Sequence, residues 1–476
     1  MTLPLSAAAV LLLYVVAITG FGAWLGRHRR SVDDYFLAGR SVPWWAVAAC
    51  IVATETSTLT FVGVPGMAYA GDWRFLQLAF GYVLGRFLIA AILLPAYFQG
   101  RLFTSYEFLQ ARFGGGSVRA LAAGIFLLSR SLGDGIRLHA AALVLSIAAG
   151  VPEWWCITLL GLAMIVYTEE GGVRATVWTD AVQMFVYLAG ALVCLVALAR
   201  ALPRGIGATL TEAAAAGKLQ VLDLSSDLSQ PLTLWAGLIG GAFLTLATHG
   251  TDHYLVQRLL VARSQRDASL GLVLSGLLVL AQFALFLCLG TLLWAHYGGH
   301  HFARSDDVLP HFVSTELPGG LLGFILAAIV AAALSPSLNS MASTTVRDFW
   351  LPYVSPRLDE AGQFRIARLS TIAWGVVQMG VALLAQDVDS ALSAGLAALG
   401  YASGPTVGAF LLGVLASRAD ARGTLLGMLA GLASCLAAGP GAPTIFGAPG
   451  AGWTWNVALG AGVTFVVGLA ASRGRD

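Results

Sequence analysis

The sequence predicts an all-α polytopic membrane protein of about thirteen transmembrane helices, and three observations carry that prediction. Hydrophobic residues make up 58% of the 476-residue chain and charged residues 11%, with a mean hydropathy of +0.79; soluble domains carry roughly 25% charged residues. Apolar windows of about 20 residues, the length that crosses a bilayer, recur from end to end. Two of these windows, the second and the seventh, are interrupted by polar residues and glycine, at 55–66 and 248–254. Irregular backbone at membrane depth is tolerated where it lines a cavity or packs on protein, which is where secondary transporters build their sites.

The windows run in order as follows. The first, 4–25, lacks a basic n-region and a small-residue cleavage site, so it is expected to be a retained span. The second, 43–69, opens with Ser41 as an N-cap and Pro43 near the first turn. Spans 75–98 and 118–149 follow, the latter carrying Arg130, Asp134 and Arg137 at i, i+4 and i+7, which shares one helix face. Spans 154–168 and 176–202 are separated by Glu169, Glu170, Gly171 and Gly172, read as a loop because glycine suits a left-handed turn at a helix end. The remainder are 232–259, 268–297, 321–346, 366–384, 391–416, 425–438 and 453–471. Loops 203–231 and 298–320 are too short to bury a core, so one membrane domain is expected. It divides into 1–42 (first helix and cytoplasmic loop), 43–202 (first repeat), 232–417 (second repeat) and 418–476 (two C-terminal helices). The two interrupted spans stand five places apart in the series, and an odd offset gives the two halves opposite topology, a 5+5 inverted repeat.

Basic residues flanking spans stay in the cytoplasm. With the amino terminus outside, inner loops hold nineteen arginines, Arg29, Arg112, Arg119 and Arg258 among them, and outer loops hold five basic residues: Arg74, Arg200, Arg204, Lys218 and Arg304. The carboxyl terminus is then cytoplasmic, and a cell membrane location is expected. Arg86, Arg130 and Arg137 remain inside spans. A net charge of +2 excludes a strongly basic nucleic-acid binder, and the five cysteines lie in apolar stretches without the spacing of a disulfide framework or zinc site. No Ser-His-Asp order, phosphate loop or metalloprotease motif occurs in a plausible context, so no enzyme is expected. No obligate protein partner is evident.

The motifs are Asp-Tyr-Phe-Leu-Ala-Gly-Arg-Ser-Val-Pro-Trp-Trp from Asp34, Thr-Phe-Val-Gly-Val-Pro-Gly ending at Gly66, and Tyr-Glu-Phe-Leu-Gln-Ala-Arg-Phe-Gly from Tyr106. Further along come Tyr-Thr-Glu-Glu-Gly-Gly-Val-Arg-Ala-Thr-Val-Trp-Thr-Asp-Ala-Val-Gln from Tyr167, Gly-Thr-Asp-His-Tyr-Leu-Val-Gln-Arg from Gly250 and Leu-Asn-Ser-Met-Ala-Ser-Thr from Leu338. In this order, over most of the chain, they resemble the sodium:solute symporters, which have the inverted-repeat fold of the leucine transporter. The resemblance implies a sodium ion between the broken second span and the ninth, held by carbonyls of Ala53, Thr56 and Ile329 and by two neighbouring hydroxyls. Those two positions fall on Ala332 and Ala333, which offer sodium no side-chain oxygen; Ser335 lies a turn away. A second cation position of some members maps to Asp180, and an aromatic gate of the sugar-carrying members maps to Tyr254.

Several residues keep two readings. Glu55 stands where relatives carry a neutral amide, and reads either as a carboxylate paired to a buried arginine or as a direct handler of sodium or a proton. Asp180 is either a cation ligand or a solvated carboxylate at a helix start. Arg130, Asp134 and Arg137 either neutralise one another, with Glu55 as a competing partner, or leave a guanidinium spare for a solute carboxylate. His249, Asp252 and His253 at the seventh break read as hydrogen-bonded polar residues more readily than as a metal cluster. His296, His300, His301 and His311, with Asp306 and Asp307, read as a solvated outer loop rather than a zinc site. Ser57 and Thr60 join these groups as expected solute-facing residues. The leading reading is symport of a small organic solute, a carboxylate-bearing one among the candidates, coupled to Na+ by alternating access in the lipid bilayer. The alternatives are a proton-coupled symporter or uniporter on the same fold, and a membrane sensor without transport, disfavoured because the chain stops just after its last span.

Overall fold

The structure, a computed structural model, describes residues 4–26, 37–56, 58–100, 102–333, 337–386, 391–438 and 452–473. Among these the elements are helices, apart from an isolated bridge between Val42 and Ala262. In chain order they are α1 (Leu5–Gly26), α2 (Trp44–Glu55), α3 (Thr58–Ala70), α4 (Leu76–Phe98), α5 (Ser105–Phe113), α6 (Ser117–Ala149), α7 (Glu153–Ala201) and α8 (Gly205–Ala215). Then come α9 (236–251), α10 (His253–Leu260), α11 (Gln265–His296), α12 (Val308–Glu316), α13 (Gly319–Ala333), α14 (337–354), α15 (Glu360–Leu384), α16 (Ala391–Leu415), α17 (Ala421–Ala438) and α18 (Asn456–Ala471).

Among the described residues six helices are long and apolar enough to cross a membrane, and the bent pair α2–α3 makes a seventh; four further apolar helices are shorter. The thirteen expected spans are not all reproduced on those criteria, because α6 carries four charged side chains and other spans are broken. The second span breaks as its interruption implies: Trp44–Glu55 and Thr60–Ala70 meet at 61°. The seventh breaks at Asp252, between α9 and α10.

Two local expectations are corrected. Ser41 does not cap α2; its hydroxyl donates to Ala38 O at 2.9 Å, closing the preceding turn, while Pro43 occupies the cap position. The stretch 169–172 is helical within α7 instead of forming a loop.

Packing centres on α11, which lies against α2, α3 and α4, and on α6, which lies against α16 and α15. α4 and α9 cross closely where Gly81 meets Gly237 and Gly241 and Gly85 meets Ala242 and Thr245. In lipid no hydrophobic force drives helices together, so small residues four apart allow the close approach that dispersion needs. The connection from α8 to α9 straps one end of the molecule. There Arg74 bridges Asp72 at 2.9 Å and Asp223 at 3.0 Å, and Lys218 donates to Tyr69 O at 2.7 Å. The Ser225 amide, with Arg74 second, holds the Asp223 carboxyl below its usual range. The histidine-rich loop is partly packed: His300 and His311 lie against Phe302, and Asp306 is buried.

Candidate functional site

α2 ends where Thr56 leaves helical dihedrals, with φ −78° and ψ 88°. Hydroxyl side chains compete with the helix for backbone partners, and the run after Ala53 is rich in them. α9 winds as wider π turns at both ends and stops at Asp252, whose ψ of 120° is extended. The Asp252 carboxylate accepts the Tyr254 amide at 2.8 Å, so the residue that ends α9 also caps α10.

Four arginines are ion-paired around these breaks. Glu55, at the end of α2, pairs with Arg86 of α4, whose side chain is wholly excluded from solvent, and His249 lies 3.5 Å from the same carboxylate. Arg130 pairs with Asp252 and reaches Asp134 at 3.5 Å. Arg137 contacts Asp134 at 3.4 Å and donates to Thr54 O at 3.3 Å. Arg258 holds Asp180 at 3.2 Å, with Thr54 and Cys50 donating to the same carboxylate oxygen. Tyr254 is fully buried between Arg130 and Arg258, whose guanidinium carbons stand 4.9 and 3.9 Å from its ring centre.

The shared face of Arg130, Asp134 and Arg137 is present, but three readings are corrected. Asp252 comes from another span to balance the second arginine, so that face carries no spare guanidinium. Glu55 pairs with Arg86, not with Arg130 or Arg137. Asp180 is not a solvated helix-end carboxylate; it is buried against Arg258, which is itself no loop residue but 2% exposed.

His249 and His253 serve different neighbours: His253 Nε2 meets Ser343 Oγ at 3.3 Å, beside the Gln257–Ser340 hydrogen bond of 3.1 Å. Among the described residues no cluster of His, Cys, Asp and Glu has the arrangement of a metal site. Ala53, Thr56, Thr60 and Ile329 are all buried. Ser57 and Ser335 lie outside the described residues. Sequence reasoning left Arg86, Arg258, Gln282 and Gln378 without roles. Gln282 of α11 meets Thr56 Oγ1 at 2.7 Å, and Gln378 of α15 reaches Asp134 at 3.5 Å. The available signal was a polar side chain in an apolar helix, and its partner lay far away in the chain.

A profile of the sodium:solute symporter family matches residues 35–431. The chain belongs to that family. The symporter is 28% identical over 447 residues to the sodium/sialic acid symporter SiaT of Proteus mirabilis, a match spanning 90% of this chain and 88% of that one. It is 30% identical over 448 residues to the human sodium/iodide cotransporter, spanning 90% and 68%. A solved Na+-coupled sialic acid symporter, substrate-bound and outward-open, superimposes with a TM-score of 0.89 at 26% identity over 98% of both chains. Mhp1, a nucleobase-cation-symport-1 family transporter, shares the fold alone, with a TM-score of 0.59 at 15% identity. The symporter is thus a multi-pass membrane transporter with sodium as its coupling ion, and its family consists of transporters rather than enzymes.

Proposed function

We propose that this symporter carries a small carboxylate-bearing organic solute with sodium, by alternating access around the two helix breaks. One observation carries the reading: Arg86, Arg130, Arg137 and Arg258 are matched around the breaks by Glu55, Asp252, Asp134 and Asp180. A buried site already in charge balance meets a large electrostatic cost if either a lone cation or a lone anion enters. Entering together, the two cancel, and each raises the other's affinity by the same factor. Relatives named for sialic acid and monocarboxylate support the carboxylate-bearing solute class.

Sodium is held by the carbonyls of Ala53, Thr56 and Ile329, with Ser335 near; Glu55 supplies the side-chain oxygen that Ala332 and Ala333 lack. Asp180 is the second cation candidate, supported by its buried Oδ1, which has no hydrogen-bond partner. Ser57, Thr60, Arg130, Asp134, Arg137, His249, Asp252 and His253 face the solute path, and Tyr254 gates it. Residues 43–202 and 232–417 form the repeats, followed by 418–476. The amino terminus is outside and the carboxyl terminus cytoplasmic, in the cell membrane.

Uptake into liposomes with imposed gradients tests this. Labelled carboxylate solutes should accumulate under an inward sodium gradient, with a protonophore present. Accumulation driven by a pH gradient in sodium-free buffer would instead make Glu55 a proton carrier, and preference for a neutral sugar would remove the anion reading.

A further inference from the structure

Arg86 takes part in both helix breaks at once, and the proton inventory shows how. Its Nη2 donates to Glu55 Oε2 and stands 3.2 Å from His249 Nε2. An arginine nitrogen can only donate, so His249 Nε2 accepts from Arg86 Nη2 and the ring proton sits on Nδ1, 2.8 Å from Thr248 Oγ1, whose own hydroxyl reaches Leu244 O at 3.0 Å. That leaves a neutral His249 with its lone pair on Nε2, turned toward Arg86. Glu55 Oε2 and His249 Nε2, 3.5 Å apart, are then both acceptors, and the guanidinium supplies the proton that holds them together. The Arg86 seat is closely shaped: a Cβ at Gly276 of α11 would lie 2.9 Å from Arg86 Cδ and 3.0 Å from Nη1. Among the described residues Arg86 Nε and Nη1 are buried without partners, and its attachment runs through Nη2.

We infer that Arg86 is an internal competitor for sodium, holding the Glu55 carboxylate in the sodium-free arrangement and yielding it when sodium enters the α2 break. The inference rests on the sodium reading above. Glu55 stands between Ala53 and Thr56 in the chain, and in this proposal a cation on those two carbonyls draws on the carboxylate that the guanidinium also holds. Two cations on one buried carboxylate repel, and the carboxylate divides its charge between them. Arg86 thereby sets sodium affinity as a positioning residue, and through His249 it carries the change at the α2 break to α9.

The test is sodium binding to the purified full chain, read by tryptophan fluorescence in choline-balanced buffers of constant ionic strength. Arg86→Gln should lower the sodium half-saturation concentration about tenfold, within the usual range of site-to-site coupling. Gly276→Ala keeps every charge and crowds the guanidinium, so it should shift the value the same way by a smaller factor. In a Glu55→Gln background, Arg86→Gln should have no further effect. An unchanged or raised half-saturation in folded Arg86→Gln overturns the inference, and Gly276→Ala decides it alone should Arg86→Gln fail to fold. A wild type that ignores sodium overturns the sodium reading and this inference together. A responsive wild type with unaltered variants overturns this inference only.

Discussion

Asp252 accepts the Tyr254 amide and the Arg130 guanidinium with one carboxylate, so it sets both backbone direction and charge at the seventh-span break. These roles separate on substitution. Asp252→Asn keeps an oxygen for the amide but leaves Arg130 with only the distant Asp134, and an uncompensated buried charge costs about 3–5 kcal/mol. The variant should unfold at a clearly lower temperature in detergent, whereas a Tm equal to wild type would show that the cap, and not the charge, is what Asp252 contributes. Arg130, Asp134 and Arg137 were legible as a cluster because helical spacing alone puts them on one face. The Glu55–Arg86 pair was not, since no local rule links the break within one span to the middle of the next.

At the scale of elements, α4 and α9 touch through Gly81, Gly85, Gly237 and Gly241. A Cβ at Gly241 would lie 3.1 Å from Gly81 Cα, and one at Gly81 would overlap the Gly237 carbonyl. Gly81→Val should therefore separate the helices and destabilise the fold by about 1–3 kcal/mol, the usual cost of overpacking. A thermal unfolding curve on purified protein reads this; no loss would mean that the crossing relaxes freely. Since α4 also carries Arg86, the same variant should disturb the Glu55 pair. The two broken spans were readable from polar interruptions in apolar windows. The helix through 169–172 was not, because glycine pairs favour a turn without requiring one.

For the whole molecule, moving Arg258 from the loops to the core removes one basic residue from the inner side and leaves the charge asymmetry standing. Gly100 and Gly207 are exposed, with open space where a side chain would go. In a background with the five native cysteines replaced, Gly207→Cys should react with a membrane-impermeant thiol reagent applied to intact cells, and Gly100→Cys only after the cells are opened. The reverse pattern would invert the proposed orientation.

By itself the sequence determined the solvent this chain folds in, the helical architecture, the family and the location of the two breaks. Each follows from composition or from signals spaced within a few turns, where hydropathy and backbone hydrogen bonding act locally. Tertiary structure alone decided the charge arrangement: Arg86 with Glu55, Arg130 with Asp252, Arg258 with Asp180. These partners lie 31, 122 and 78 residues apart. In a low-dielectric interior each buried charge must find an opposite one, but which one is set by how the helices cross, and no periodicity along the chain encodes that.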